Sequence, residues 1–130
     1  MPTAGAVEVV DASALAALLF GEPEAVLVAQ RLLATRLVAP ALLQFELANI
    51  CLTKLRRHPQ QRDAILAGYA LRERVAIETV DVEQHEVLAT AEASGLTAYD
   101  ASYLWLARRL GVGLITLDRQ LAAAMAAAQG

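Results

Sequence analysis

Four acidic residues stand where charge is expensive. Asp11 closes the run Ala6-Val7-Glu8-Val9-Val10, and Asp118 follows Gly113-Leu114-Ile115-Thr116-Leu117. Asp100 sits at the head of Ala101-Ser102-Tyr103-Leu104, and Glu46 lies inside Leu42-Leu43-Gln44-Phe45-Glu46-Leu47. A carboxylate near an apolar core is costly unless it is paired or bound to a metal. At helical spacing Glu46 has Leu42, Leu43, Asn49 and Ile50 as neighbours, and Asp100 has Leu96, Tyr103 and Leu104. Neither has a basic residue at that spacing. A divalent cation would supply the missing charge. Oxygen donors without Cys or His favour Mg²⁺ or Mn²⁺ over zinc.

Each acid also has a simpler explanation. Asp11 and Asp118 could cap the helices that follow them. Thr97 and Asp100 stand three apart before an apolar run, close to a capping-box pattern. Glu46 could be a solvated helix residue. All four falling at such positions favours a shared pocket.

The elements that must carry these residues alternate in type. Val7–Val10 reads as a buried strand, with Glu8 placing its first half toward an edge. Helices follow over Ala12–Phe20, ended by Gly21, and over Glu24–Ala34, with Pro23 in its first turn. Leu37–Ala39 is a short strand candidate. Pro40 opens a helix to about Arg57, broken by His58-Pro59. Gln61–Arg74 is amphipathic, and Val75–Val80 is a second good strand. Val82–Ser94 is helical with Gly95 as its cap. A helix over Thr97–Leu110 with Gly111 after it, a strand over Val112–Leu117 and a helix over Arg119–Ala127 complete the chain. Every strand-to-strand connection contains a helix, which predicts an α/β fold with a parallel sheet and right-handed crossovers. Ligands of open parallel sheets bind at the carboxyl ends of strands. Asp11 and Asp118 lie at two such ends, so a common crevice is expected for them.

Size and composition set the frame. The 130 residues suit one domain, 1–130, with a real core, and 57% hydrophobic residues exclude disorder. The richest apolar stretches, Ala12–Phe20 and Leu121–Ala128, are shorter than the about 20 residues of a membrane span. Met1–Gly5 has no basic residue and does not read as a signal peptide. A single cysteine, Cys51, excludes an internal disulfide and a thiolate zinc site, and the expected location is cytoplasmic. The net charge is −3, from 11 basic and 14 acidic residues. With the four site acids set aside, the remaining balance is near neutral. A nucleic-acid substrate is therefore allowed, although no strongly basic face advertises one.

Val9-Val10-Asp11-Ala12-Ser13-Ala14-Leu15, Phe45-Glu46-Leu47-Ala48-Asn49, Tyr99-Asp100-Ala101-Ser102-Tyr103 and Ile115-Thr116-Leu117-Asp118 together resemble the motifs of PIN-domain ribonucleases. The length of the chain and the order of the motifs are similar to those of the VapC toxins of bacterial toxin–antitoxin pairs. The resemblance implies a three-layer α/β/α sandwich with a small, mostly parallel sheet. It implies metal-dependent hydrolysis of RNA phosphodiesters, with Asp11, Glu46, Asp100 and Asp118 as the metal-binding catalytic site. Ser13 and Thr116 would orient carboxylates or a water, and Mg²⁺, with Mn²⁺ able to substitute, is the implied cofactor. The implied partner is a VapB-type antitoxin.

Asn49, one turn from Glu46, could bond a carboxylate or a substrate. Lys54, Arg56, Arg57 and His58 end the Glu46 helix, where cations complement the helix dipole, with phosphate steering as the other reading. Arg108 and Arg109 also end a helix. Arg119 could touch RNA or screen the acids. His58 and His85 read as surface residues, and Cys51 and Trp105 as core. The first two helices are expected to offer apolar faces for a dimer or a partner. Two other functions compete. A phosphohydrolase or phospho-acceptor domain would show Asp-x-Asp after the first strand, where this chain has Asp11-Ala12-Ser13, or a strand-end Lys, where the only Lys is Lys54. A non-catalytic binding domain would use the acids only as caps and would bind no metal.

Overall fold

A computed structural model describes residues 6–129. The Met1–Gly5 segment, read above as no signal peptide, lies outside the described residues. β1 (Val7–Val10) runs through the middle of the molecule. Val9 and Val10 are fully buried, and β-branched side chains suit a strand covered on both sides. After it come α1 (Ala12–Leu19), α2 (Ala25–Leu32), β2 (Arg36–Pro40), α3 (Leu43–Arg57), α4 (Arg62–Ala70), β3 (Ile77–Val80), α5 (Gln84–Ser94), α6 (Ala98–Leu110), β4 (Gly113–Ile115) and α7 (Arg119–Gln129). The strands form one parallel sheet in the order β3-β2-β1-β4. Helices α1 and α2 pack together with α3 against α1, while α6 lies on β1, β2 and β4 with α5 and α7 beside it. The architecture is the three-layer α/β/α arrangement expected from the motifs.

Several boundaries differ from the sequence reading, each for a local reason. Glu8 does not mark an edge: β1 is paired on both sides, and Glu8 reaches Arg31 of α2 at 2.6 Å. Pro40 does not open a helix but ends β2, paired with Val80. The next N–H, of Ala41, donates to the Val80 carbonyl. Alternation along a strand points the position of Pro40's missing N–H toward β1, which has already ended at Val10. Residues 71–74 tighten into a 3₁₀ turn instead of continuing α4. β3 starts at Ile77, not Val75, because Val75 still closes the 3₁₀ turn, its N–H bonded to the Arg72 carbonyl. β4 ends at Ile115, opposite Val10, because β1 turns into α1 there. Thr116 and Leu117 thereby leave the sheet and become part of the turn that carries Asp118. The glycine caps are as expected, with Gly95 and Gly111 at φ +72° and +67° closing α5 and α6.

Helix α4 passes very close to the end of α1. A Cβ placed on Gly68 would stand 2.8 Å from the Leu19 carbonyl oxygen, with the Phe20 ring at 3.1 Å. Helix propensity alone favours Gly68→Ala by about 1 kcal/mol. The backbone clash outweighs it, and the substitution is expected to destabilise by about 1–3 kcal/mol. Urea unfolding measures the sign, and a more stable variant would show that the two helices are free to separate.

Candidate active site

The four acids reach one place from four different helices, each from its amino end. Asp11 is the N-cap of α1, Glu46 and Asp100 lie in the first turns of α3 and α6, and Asp118 immediately precedes α7. In a parallel sheet the helices that directly follow strands, here α1, α3 and α7, begin at its carboxyl edge, and α6, which follows α5, brings its amino end to the same cavity. Together with Ala12, Ser13, Leu42, Phe45, Asn49, Ile50, Tyr99 and Tyr103 they line one cavity of about 600 Å³.

Asp11 is the most constrained of the four. It is only 4% exposed, and its Oδ1 accepts hydrogen bonds from the Ala14 N–H at 3.0 Å and the Ser13 hydroxyl at 2.7 Å. Its Oδ2 accepts from the Thr116 hydroxyl. Each hydroxyl also accepts a backbone N–H from the far turn: Ser13 from Leu117 at 2.9 Å, Thr116 from Asp118 at 3.0 Å. The Asp11 N–H itself donates to the Ile115 carbonyl. The β1–α1 junction and the β4–α7 turn are thus fastened through one carboxylate. Asp118 accepts the Leu121 N–H on Oδ1, 2.9 Å. Capping and cavity lining are therefore not rivals for Asp11 and Asp118, because a carboxylate has two oxygens and room for several donors. In α6, Thr97 caps by accepting the Asp100 N–H, so the Asp100 side chain is left to the cavity.

Glu46 is half-buried, and Tyr103 donates its hydroxyl to Oε1 at 2.5 Å. Tyr103 was not singled out from the sequence as a site residue. Its signal was its place one turn after Asp100, which puts both on one face of α6. Asn49 lines the cavity but makes no hydrogen bond to a carboxylate among the described residues. Lys54 is occupied elsewhere, bonded to Glu22 at 3.1 Å and set over the Phe20 ring. That position favours a structural role over phosphate steering. Arg119 is exposed and forms no ion pair with the acids; the ion pairs among the described residues use Glu8, Glu22 and Glu78. His58 and His85 are exposed and Cys51 is buried, as expected. Trp105 is half-buried, with its indole N–H on Glu86.

Burial and mutual repulsion act on the site in the same direction. Desolvation is the main cause raising the pKa of Asp11, opposed by its three hydrogen bonds and reinforced by Asp118. Desolvation likewise raises Glu46, against the Tyr103 bond and with the charges of Asp100 and Asp11. Asp100 is raised by burial and then by Asp118 and Asp11. The Tyr103 phenol is held far above its usual value by burial and by Glu46. The donor chemistry fits a hard divalent cation: oxygen only, several carboxylates that repel one another, and no Lys or Arg paired with them. Among the described residues no three acidic, His or Cys side chains already converge tightly enough to grip an ion. Asp11 and Asp118 are each tied to the helix that follows them, and Glu46 of α3 is tied to Tyr103 of α6.

A PIN domain model matches residues 9–126. The chain belongs to the PIN domain family, whose members are generally metal-dependent nucleases. Among solved structures it is similar to PAE2754 from Pyrobaculum aerophilum, with 29% identity and a TM-score of 0.71 over 92% of this chain and 84% of that one. No curated protein matches the chain. No helix among the described residues is long and apolar enough to cross a membrane.

Two outcomes follow from the site. Folded Asp11, Glu46 and Asp100 bind protons more tightly than the unfolded chain does. Stability in the presence of a chelator should therefore fall as pH rises from the ordinary carboxylate values of 3.8 and 4.5 through the raised folded ones. Calorimetry should show Tm declining from mildly acidic toward neutral pH, with a flatter decline in Asp100→Asn; a rising Tm would contradict the repulsion. Thr116→Val removes a donor to Asp11 and an acceptor for Asp118, and should cost about 1–3 kcal/mol. Denaturant titration checks it, and an unchanged midpoint would show that the tether carries no load.

Proposed function

We propose that this protein is a cytoplasmic, Mg²⁺-dependent endoribonuclease and the toxin of a toxin–antitoxin pair, with residues 1–130 forming one VapC-like domain. The observation that carries the reading is the convergence of four carboxylates from four helix amino ends on one cavity, in a chain of a nuclease family. Asp11, Asp100, Asp118 and Glu46 would hold the ion, with Mn²⁺ able to replace Mg²⁺. Such an ion supplies Lewis acidity that offsets charge on the phosphodiester.

The chain's own residues do the rest. Ser13 and Thr116 hold the Asp11 carboxylate in one orientation, so little reorganisation is needed when charge develops. The positive ends of α1, α3, α6 and α7 lower the cost of gathering four negative charges. Tyr103 fixes Glu46 through Oε1 and leaves Oε2 either to hold the ion or to take the proton of an attacking water. Asn49 is positioned to bond substrate.

The antitoxin partner and a homodimer belong to the same reading. The apolar face available for them lies on α2 and its end, where Val26, Leu27 and Leu33 are exposed. Helix α1, expected from sequence to share this role, is instead largely buried because its small apolar residues pack all round.

The test is cleavage of total cellular RNA by protein purified free of any partner, with and without Mg²⁺ or Mn²⁺. Wild type should cleave only with metal. Asp11→Asn and Asp100→Asn should lose activity while keeping the wild-type circular dichroism spectrum. Full activity in either variant would remove these acids from the reaction.

A further inference from the structure

The six aromatic residues of the chain divide into two groups. Four have a partner for their ring or polar atom. Phe20 lies under Lys54, Tyr69 under Arg72, Tyr103 is bonded to Glu46 and Trp105 to Glu86. The other two, Phe45 and Tyr99, are 79% and 66% exposed. Both line the acidic cavity, and each immediately precedes one of its acids, Glu46 on α3 and Asp100 on α6. Exposing large aromatic rings to water is unfavourable unless something covers them in use.

We propose that Phe45 and Tyr99 are stacking platforms for unpaired bases beside the scissile phosphate, and so help determine which RNA sites are cut. The proposal rests on the nuclease reading above and adds to it the residues that grip substrate. An ion held by carboxylates binds a phosphate but has no hold on a base. A ring on each of two helices bordering the same cavity can supply that hold. Stacking needs an exposed base face, which a duplex keeps inside its own stack and an unpaired strand presents. The cavity volume, about 600 Å³, lies in the range of sites for small organic ligands and has room for a base. An apolar protein segment fits the same place less well, because four carboxylates lie among the apolar lining residues.

The probe is a short unpaired oligoribonucleotide carrying 2-aminopurine, whose fluorescence is quenched on stacking. It is used with Mg²⁺ on wild type, Phe45→Ala, Tyr99→Ala, Phe45→Trp and Tyr99→Phe. Each alanine variant should weaken Kd and KM about ten-fold, reduce quenching and change kcat little. The aromatic replacements should restore both affinity and quenching. The same sequence locked in a duplex should bind alike to all five proteins. Alanine variants that bind, quench and cleave like wild type would overturn the stacking role and leave the nuclease intact. An equal loss in the aromatic replacements would overturn it too. Alanine variants that cleave normally but lose a basic peptide partner would assign the rings to protein binding instead. If wild type neither binds nor cleaves the oligonucleotide with divalent metal, the nuclease reading falls and this proposal with it.

Discussion

The buried carboxylate of Asp11 is the constraint on which the rest of the site depends. It stands at the end of the central strand, where a bare charge could not be tolerated, and three donors from two distant segments satisfy it. The two hydroxyls that donate to it also accept backbone N–H groups from the β4–α7 turn. Beyond the ladder that already joins β1 to β4, this side chain therefore fastens the turn after β4 to the start of α1, more than 100 positions away in sequence. Asp118 is aimed by the same turn, so the geometry of half the acidic cluster follows from this one set of bonds.

Four acids around one cavity oppose folding, and the fold offsets that cost in two ways. The positive ends of four helices meet where the carboxylates meet. Hydrogen bonds from Ser13, Thr116, Ala14, Tyr103 and Leu121 replace part of the lost water. What stays unbalanced appears as the raised proton affinity of Asp11, Glu46 and Asp100. Such a residual imbalance is the usual mark of a site kept for chemistry at the expense of stability. The exposed rings of Phe45 and Tyr99 add a second unfavourable feature at the same cavity.

The layered α/β order was legible because hydrophobic runs, glycine caps and prolines are local signals. Gly95 and Gly111 end their helices as read, since a left-handed residue is a property of a few neighbouring positions. Pro40 was misread because the same fixed φ suits a helix start and a strand end, and only the length of the neighbouring strand chooses between them. Glu8 was misread for a similar reason. A charge within a strand suggests an edge until a cation such as Arg31 arrives from another element.

By itself the sequence determined which residues could do chemistry, the order of strands and helices, and the family, because residue type and short-range periodicity are written in the chain. The tertiary structure alone decided the order β3-β2-β1-β4, and with it which strand ends lie side by side. It also decided that Tyr103 serves Glu46, that Lys54 serves Glu22, and that α2 rather than α1 offers an apolar face. The reason is the same in each case: these pairings join residues far apart in sequence, and only packing sets which surfaces meet and which stay in water.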